Sequence, residues 1–368
     1  MQENKQRVLE RKRMRKRKKN NRTPFLLLVL LCLFIGGGVA GIKVLTSDKN
    51  VQKTEATAEA VTTQETTTEA PTQEETTTEP PTNDPDKVDP VEYMDATAGV
   101  SSFQNTLEAK DAILIDADEK KILFSMNAKE RVSPASTTKM MTALTALQFL
   151  DPDTRVTVGD EIYLIGEGSS TAQLEKGDVL KVRQLIQGLM LSSGNDAAYV
   201  LAVNTARKVM GSDYPIQDSI RSFISMMNRN VDRMKLTDTH FASPDGYDTE
   251  NQYTTAYDLS MIAYEALQNK VIMDAVSVHS IYVPEIDATW TSTNELTNPD
   301  SAYYYEKAIG LKTGSTPNAG KCLVSAAKDG DRTMLCVVMG SGPEGRWTDS
   351  KALLEFGFGI EEETATAP

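Results

Sequence analysis

The chain reads as an α/β (α+β) domain: one antiparallel sheet flanked by helices, with a helical lobe beside it. Three observations predict this. Short β-type apolar runs stand at both ends of residues 92–360, at 112–115 and 122–125 and again at 309–313, 321–327 and 333–339. Between them, residues 134 to about 270 carry mainly helical patterning. Strands from both ends of a domain with helices between them share one sheet covered by helices, which leaves a cleft against the helical lobe. The roughly 270 residues of this stretch suffice to bury a sizeable core.

The elements follow in order. Asp118-Glu119 marks the turn of a first hairpin. Ser133-Pro134 opens a helix that begins near Pro134 and runs to about Leu150; its sequence KMMTALTALQFL is apolar almost all round, so it is buried. Two further amphipathic runs, VLKVRQLIQGLMLS and DAAYVLAVNTARKVM, are separated by Ser193-Gly194-Asn195, a helix-to-helix turn. Thr255-Ala256-Tyr257-Asp258 reads as the cap of the helix DLSMIAYEALQN. A strand near 280 comes next, the tyrosines at 303–305 pack in the core or at its rim, and AIGL leads a strand through Lys312-Thr313-Gly314 into a turn. Asp329-Gly330 is a hairpin signal. A two-residue turn there sets Cys322 opposite Val337 and Leu323 opposite Cys336, so the two thiols face opposite sides of the sheet and stay free and buried. A closing helix covers 347–356.

The flanks differ in kind from this domain. Residues 1–24 hold eleven Lys/Arg against two Glu, and residues 25–42, FLLLVLLCLFIGGGVAGI, carry no charge and are long enough to span a bilayer; Cys32 lies within them. The positive-inside rule puts the basic segment in the cytoplasm and the rest outside, as a single-pass protein of the cell membrane. Val39-Ala40-Gly41 offers a signal-peptidase site that would release the domain, whereas the long basic region favours a retained anchor. Residues 43–91 are Thr/Glu/Pro-rich and cannot bury a core, so they read as a disordered tether spanning roughly 35–40 Å; residues 361–368 form a tail. Of the net charge of −13, the first 24 residues contribute +9 and the remainder −22, which argues against nucleic acid as a partner.

The chemistry starts at Ser136-Thr137-Thr138-Lys139. On a helix, a serine three residues before a lysine puts a hydroxyl and an amine on one face. A serine hydroxyl needs a base, and a lysine whose pKa is lowered by burial and by a second cation can serve. The other Ser-x-x-Lys, Ser325 to Lys328, lies in a β-type run where residues three apart point to opposite faces, so that pair cannot cooperate. His240 and His279 fall in no catalytic motif, and no Gly-x-Ser-x-Gly elbow surrounds Ser136. No metal-ligand spacing and no Gly-rich phosphate loop is present, so neither metal nor cofactor is expected. Two more words make the match specific: Ser193-x-Asn195 at its helix-to-helix turn, and Lys312-Thr313-Gly314, which occurs once.

In this order, Ser136-x-x-Lys139, Ser193-x-Asn195 and Lys312-Thr313-Gly314 resemble the penicillin-recognising serine enzymes. The words SPASTTKMMTAL, LMLSSGNDAA, YTTAYDLSMIA, GLKTGSTPNAGKCLVSAAKDGDR and RWTDSKALLEFGF resemble the serine-type D-alanyl-D-alanine carboxypeptidases, the low-mass penicillin-binding proteins, from roughly Ala109 to Gly359. The resemblance implies a β-lactamase/transpeptidase-like fold and a peptidoglycan stem peptide ending in D-Ala-D-Ala as substrate. It also implies β-lactam antibiotics as covalent inhibitors. It makes Ser136 the nucleophile, Lys139 its base and Ser193 a proton relay with Lys312. Asn195 then orients Lys139 and the substrate amide, and Lys312, Thr313, Gly314 and Ser315 form the strand that binds the substrate and its terminal carboxylate. The N–H groups of Ser136 and Ser315 are the expected oxyanion hole. Where some relatives end in a further β-domain and an amphipathic anchor, the N-terminal span is expected to replace that anchor.

One departure stands out. Relatives commonly carry a His-Gly-Leu-type word where this chain has Asp245-Gly246-Tyr247, in a loop that borders their cleft. Two other functions share the three elements. A β-lactamase of the commonest class needs a Glu-x-x-Leu-Asn word between Ser193 and Lys312, which is absent; a non-catalytic penicillin sensor or wall-binding module would show damage at Ser136, Lys139 or Lys312, and all three are intact.

Overall fold

The computed structural model describes residues 103–359. The basic segment, the apolar span, the linker and the tail (1–24, 25–42, 43–91 and 361–368) lie outside the described residues.

The chain opens with β1 (Asp111–Asp116) and β2 (Lys121–Met126), then enters a 3₁₀ turn (Ala135–Thr138) that continues into α1 (Lys139–Phe149). The short β3 (Arg155–Thr157) and β4 (Val179–Lys181) pair with each other. Four helices complete the lobe: α2 (Val182–Met190), α3 (Asn195–Met210), α4 (Ile216–Arg233) and α5 (Ala256–Gln268). A short α6 (Lys270–Val276) leads to a second small hairpin, β5 (Ser280–Val283) with β6 (Ala288–Thr291). The chain then returns as β7 (Ala308–Thr316), β8 (Gly320–Asp329) and β9 (Arg332–Ser341) and closes with α7 (Gly345–Gly359).

The five long strands form one antiparallel sheet in the order β2-β1-β9-β8-β7, so strands from both ends of the domain meet at β1 and β9, as the patterning predicts. One face carries Ile113, Ile115, Val324, Leu335 and Val337 into the large core shared with the helical lobe. The opposite face carries Leu114, Leu323, Met334 and Val338 against Trp347, Leu353 and Leu354 of α7. Alternate residues of one strand therefore feed two cores, the expected consequence of a period of two in a sheet buried on both faces. β7 is an edge strand.

Three details depart from the sequence reading. The strand near 280 belongs to its own hairpin instead of the main sheet, and β3 and β4 interrupt the helical stretch. The β8–β9 turn is centred on Gly330-Asp331, not Asp329-Gly330, because Gly330 takes the first central position with φ +59°, the left-handed conformation that hairpin turns need. Ser325, not Leu323, therefore lies opposite Cys336, and Val338 opposite Leu323. The slip leaves side-chain parity unchanged, so Cys322 still faces the large core and Cys336 the α7 side; both are free and buried. Thr255 caps α5 as predicted, its side chain accepting from the Asp258 N–H.

Candidate active site

The site lies where the 3₁₀ turn before α1, the α2–α3 turn and β7 converge. The 3₁₀ turn presents Ser136, half-buried, and the first residue of α1 is Lys139, fully buried, one turn on. Lys139 Nζ is 2.8 Å from Ser136 Oγ and donates a 2.6 Å hydrogen bond to the Asp245 carbonyl. Burial pulls the Lys139 pKa down to about 8, against the opposing pull of the Asp245 and Asp196 carboxylates. Lys312, on β7, is also fully buried and is held well below the ordinary lysine range by desolvation first, then by the positive charges of Lys139 and Arg346. Burial alone lowers Lys139, the first of the two influences named for a serine–lysine base, whereas the charge of Lys139 acts on Lys312.

Backbone conformation brings these groups together. Ala135 (φ +49°) and Ser193 (φ +54°) sit in the left-handed region, each costing about 1–3 kcal/mol for a residue with a β-carbon. Gly314 allows β7 to pass against the nucleophile turn: a Cβ there would lie 3.1 Å from Ala135 Cβ and 3.3 Å from the Pro134 carbonyl oxygen. Gly246 is more constrained still. Its φ is +82°, and a Cβ would fall 1.8 Å from the Ala135 carbonyl oxygen.

Ser136, Asn195 and Ser315 line an open cleft of about 500 Å³. Lys139, Ser193, Lys312 and Thr313 are buried beside it. The Asn195 side chain donates to Ser169 Oγ at 2.8 Å, so the hydrogen bond it makes holds the facing loop. Lys312 Nζ donates to the Thr313 carbonyl at 3.0 Å, while the Thr313 hydroxyl pairs with that of Thr293 at 2.6 Å. Lys321 donates to Ser315 Oγ at 2.8 Å.

Sequence reasoning missed several participants. The loop from Gly166 to Leu174 forms the opposite wall and is stapled to the start of α3 by Asp196, whose carboxylate accepts from the N–H groups of Ala172 (2.7 Å) and Leu174 (3.0 Å). Arg346 bears on Lys312 and was quoted only as part of a family word. Asp248 joins the two sides, accepting from Ser133 Oγ at 2.9 Å and from the Asn318 N–H at 3.2 Å. The Asp245-Gly246-Tyr247 word lines the cleft, with the Tyr247 ring lying over Gly166 and its hydroxyl donating to the Glu167 carbonyl at 3.4 Å.

The chain is similar to known proteins in sequence and fold. The family model described as D-alanyl-D-alanine carboxypeptidase, Peptidase S11, matches residues 98–342. The D-alanyl-D-alanine carboxypeptidase DacF of Bacillus subtilis is 32% identical over 259 residues, 68% of this chain and 62% of that protein. DacA of Escherichia coli is 35% identical over 266 residues, 68% of this chain and 61% of that protein. The chain thus spans about three-fifths of the length of these two relatives. Among solved structures, that of the Streptomyces K15 DD-transpeptidase superposes with a TM-score of 0.63 at 34% identity, covering 70% of this chain and 99% of that one. With its serine–lysine pair, its Lys-Thr-Gly edge strand and two-thirds of its length matched, the chain belongs to the D-alanyl-D-alanine carboxypeptidase family of serine peptidases.

Proposed function

We propose that the protein is a serine D-Ala-D-Ala carboxypeptidase that removes the terminal D-alanine from peptidoglycan stem peptides through an acyl-enzyme on Ser136. The observation that carries this reading is the 2.8 Å approach of a fully buried lysine, with a pKa of about 8, to a half-buried serine on the cleft wall. Neutral Lys139 takes the Ser136 proton as Oγ bonds to the carbonyl carbon between the two D-alanines. The carbonyl π pair moves onto oxygen, where the N–H groups of Ser136 and Ser315 receive it. Collapse breaks the C–N bond and expels D-alanine, whose amine takes the Lys139 proton relayed through Ser193 and Lys312; water then attacks the ester carbonyl, and the ester bond breaks as the water proton passes to Ser136 Oγ.

Lys312, Thr313 and Arg346 supply the cations and hydroxyl for the terminal carboxylate. Edge strand β7 accepts the peptide main chain as an added strand. A β-lactam presents a strained amide beside a carboxylate to the same groups and acylates Ser136. The N-terminal span holds the domain at the outer face of the cell membrane, on the tether of residues 43–91. The β-lactamase and sensor readings are less well supported, given the missing Glu-x-x-Leu-Asn word and the intact Ser136, Lys139 and Lys312.

A second reading shares the same acyl-enzyme. The Streptomyces K15 structure is that of a DD-transpeptidase, so an amine in place of water as acyl acceptor is the alternative outcome. The test is release of free D-alanine from a peptide ending in D-Ala-D-Ala by the full chain in detergent, with and without an amine acceptor, beside Ser136→Ala. Release by the wild type alone supports the carboxypeptidase, release only with acceptor supports the transpeptidase, and release undiminished in Ser136→Ala sinks both.

A further inference from the structure

Asp245 belongs to the loop that seats Lys139, and its carboxylate is only partly hydrogen-bonded. The residue is 1% exposed. One oxygen, Oδ1, accepts from the Tyr247 N–H at 3.0 Å; the other, Oδ2, is buried with no hydrogen-bond partner. Leaving a carboxylate oxygen buried and unpaired costs free energy. The residue is also held rigidly. Its own carbonyl takes the 2.6 Å bond from Lys139, the preceding Pro244 carbonyl takes one from Thr142 Oγ1 at 2.5 Å, and the following Gly246 is clamped under the Ala135 carbonyl. The main chain that seats the lysine therefore fixes a negative charge near it.

We propose that Asp245 is a positioning residue for acylation, its buried carboxylate serving as the counter-charge for the Lys139 ammonium that forms when Ser136 gives up its proton. This rests on the reading of Ser136 as nucleophile and Lys139 as its base. In that step Lys139 goes from neutral to cationic while negative charge develops on the substrate oxygen. In a fully buried site with a second lysine, Lys312, close enough to feel its charge, a new positive charge on Lys139 is costly unless an anion faces it. The charged and titratable groups around Lys139 come from three elements: Asp245 on its loop, Asp196 on α3 and Lys312 on β7. Tyr199 on α3 also feels Asp245, but burial and that same carboxylate push its phenol up, so it stays neutral. Asp196 spends both oxygens on backbone N–H groups, which leaves the free oxygen of Asp245 to answer the lysine.

The test is the second-order rate of covalent capture of a fluorescent penicillin by the full chain in detergent, from pH 5 to 10, for wild type, Asp245→Asn and Asp245→His. Asparagine keeps an acceptor for the Tyr247 N–H and removes the charge. In both variants the midpoint of the ascending limb should move to lower pH by roughly one unit, as an anion near a lysine is lost, and the high-pH plateau should fall about tenfold. A lowered plateau with an unmoved midpoint in the folded variants would mean a packing role only and overturn the proposal. If Asp245→Asn fails to fold, Asp245→His decides the matter alone. Absence of capture by the wild type would instead overturn the Ser136–Lys139 reading beneath it.

Discussion

Lys139 Nζ and Ser136 Oγ lie 2.8 Å apart, with the lysine donating as long as it is protonated. Once the lysine loses a proton the bond reverses and the serine hydroxyl donates to it, which is the arrangement that activates the nucleophile. Burial sets where this happens: with the Lys139 pKa at about 8, the base form gains population as pH rises through 8. Covalent capture of a β-lactam should therefore rise with pH to a plateau above about 8 and fall about tenfold per pH unit below it. A capture rate independent of pH from 6 to 9 would show that some other group accepts the proton.

The same burial makes a statement about stability. A lysine whose folded pKa is depressed from 10.5 to about 8 weakens the fold below pH 8, and the penalty fades as pH rises from about 8 to 10.5. Lys139→Met removes the charge and keeps the apolar stem. It should be more stable than wild type at pH 6–7 by roughly 1–3 kcal/mol, converging with it near pH 10, while acylation drops about 10²- to 10⁴-fold. Thermal melts across pH beside penicillin capture check both halves; a variant less stable at pH 6 would show that the ammonium is well accommodated.

How much of this was legible depends on which interactions have a period. Ser136 and Lys139 were legible because residues three apart share a helix face, and Ser325 and Lys328 were rightly set aside because both lie on β8. The sheet was legible from runs at both ends of the domain. What pairs with Lys139 was not: the bond goes to the Asp245 main-chain carbonyl, which any residue could supply. The Gly166–Leu174 wall was missed for a similar reason, since Asp196 holds it through backbone N–H groups and leaves no pattern in the loop's own sequence. The one-residue error at the β8–β9 turn arose because Asp329-Gly330 and Gly330-Asp331 are equally good turn dipeptides.

Gly246 tests whether the loop and the nucleophile turn are one unit. Alanine there meets both a left-handed φ of +82° and a contact of 1.8 Å with the Ala135 carbonyl oxygen. The backbone must yield, at a cost of roughly 2–4 kcal/mol. The expected result is a fall in Tm of roughly 5–15 °C together with slower capture at temperatures where the variant is still folded, because Ala135 precedes Ser136. Full capture in a destabilised variant would separate the two segments.

Asp196 offers the complementary case of a residue that shapes the cleft without chemistry. Its carboxylate accepts three backbone N–H groups, from Ala172, Leu174 and Ala197. Asp196→Ala leaves buried donors unsatisfied, worth about 1–3 kcal/mol each before relaxation. The loop from Gly166 should then show faster amide exchange, and KM for the peptide should rise more than kcat falls. Exchange confined to α3, with the loop unchanged, would place the role of Asp196 in the helix alone.

The proposed carboxypeptidase activity depends on recognising the terminal carboxylate of the peptide. Lys312 is buried, donates to its neighbour's carbonyl, and is pushed well below the ordinary lysine range by desolvation and by the charges of Lys139 and Arg346. An arriving carboxylate reverses that balance, since an anion beside the lysine favours its charged form and Arg346 supplies a second positive charge. The free energy of discrimination therefore arises from the terminal carboxylate itself. Wild type should cleave a peptide ending in D-Ala-D-Ala far better than its C-terminal amide, and Lys312→Gln should lose about 10- to 100-fold more on the acid than on the amide, matching the roughly 1.5–3 kcal/mol of a charge-assisted hydrogen bond. Equal losses on acid and amide would leave Lys312 its place in the proton relay through Ser193 and remove it from carboxylate recognition.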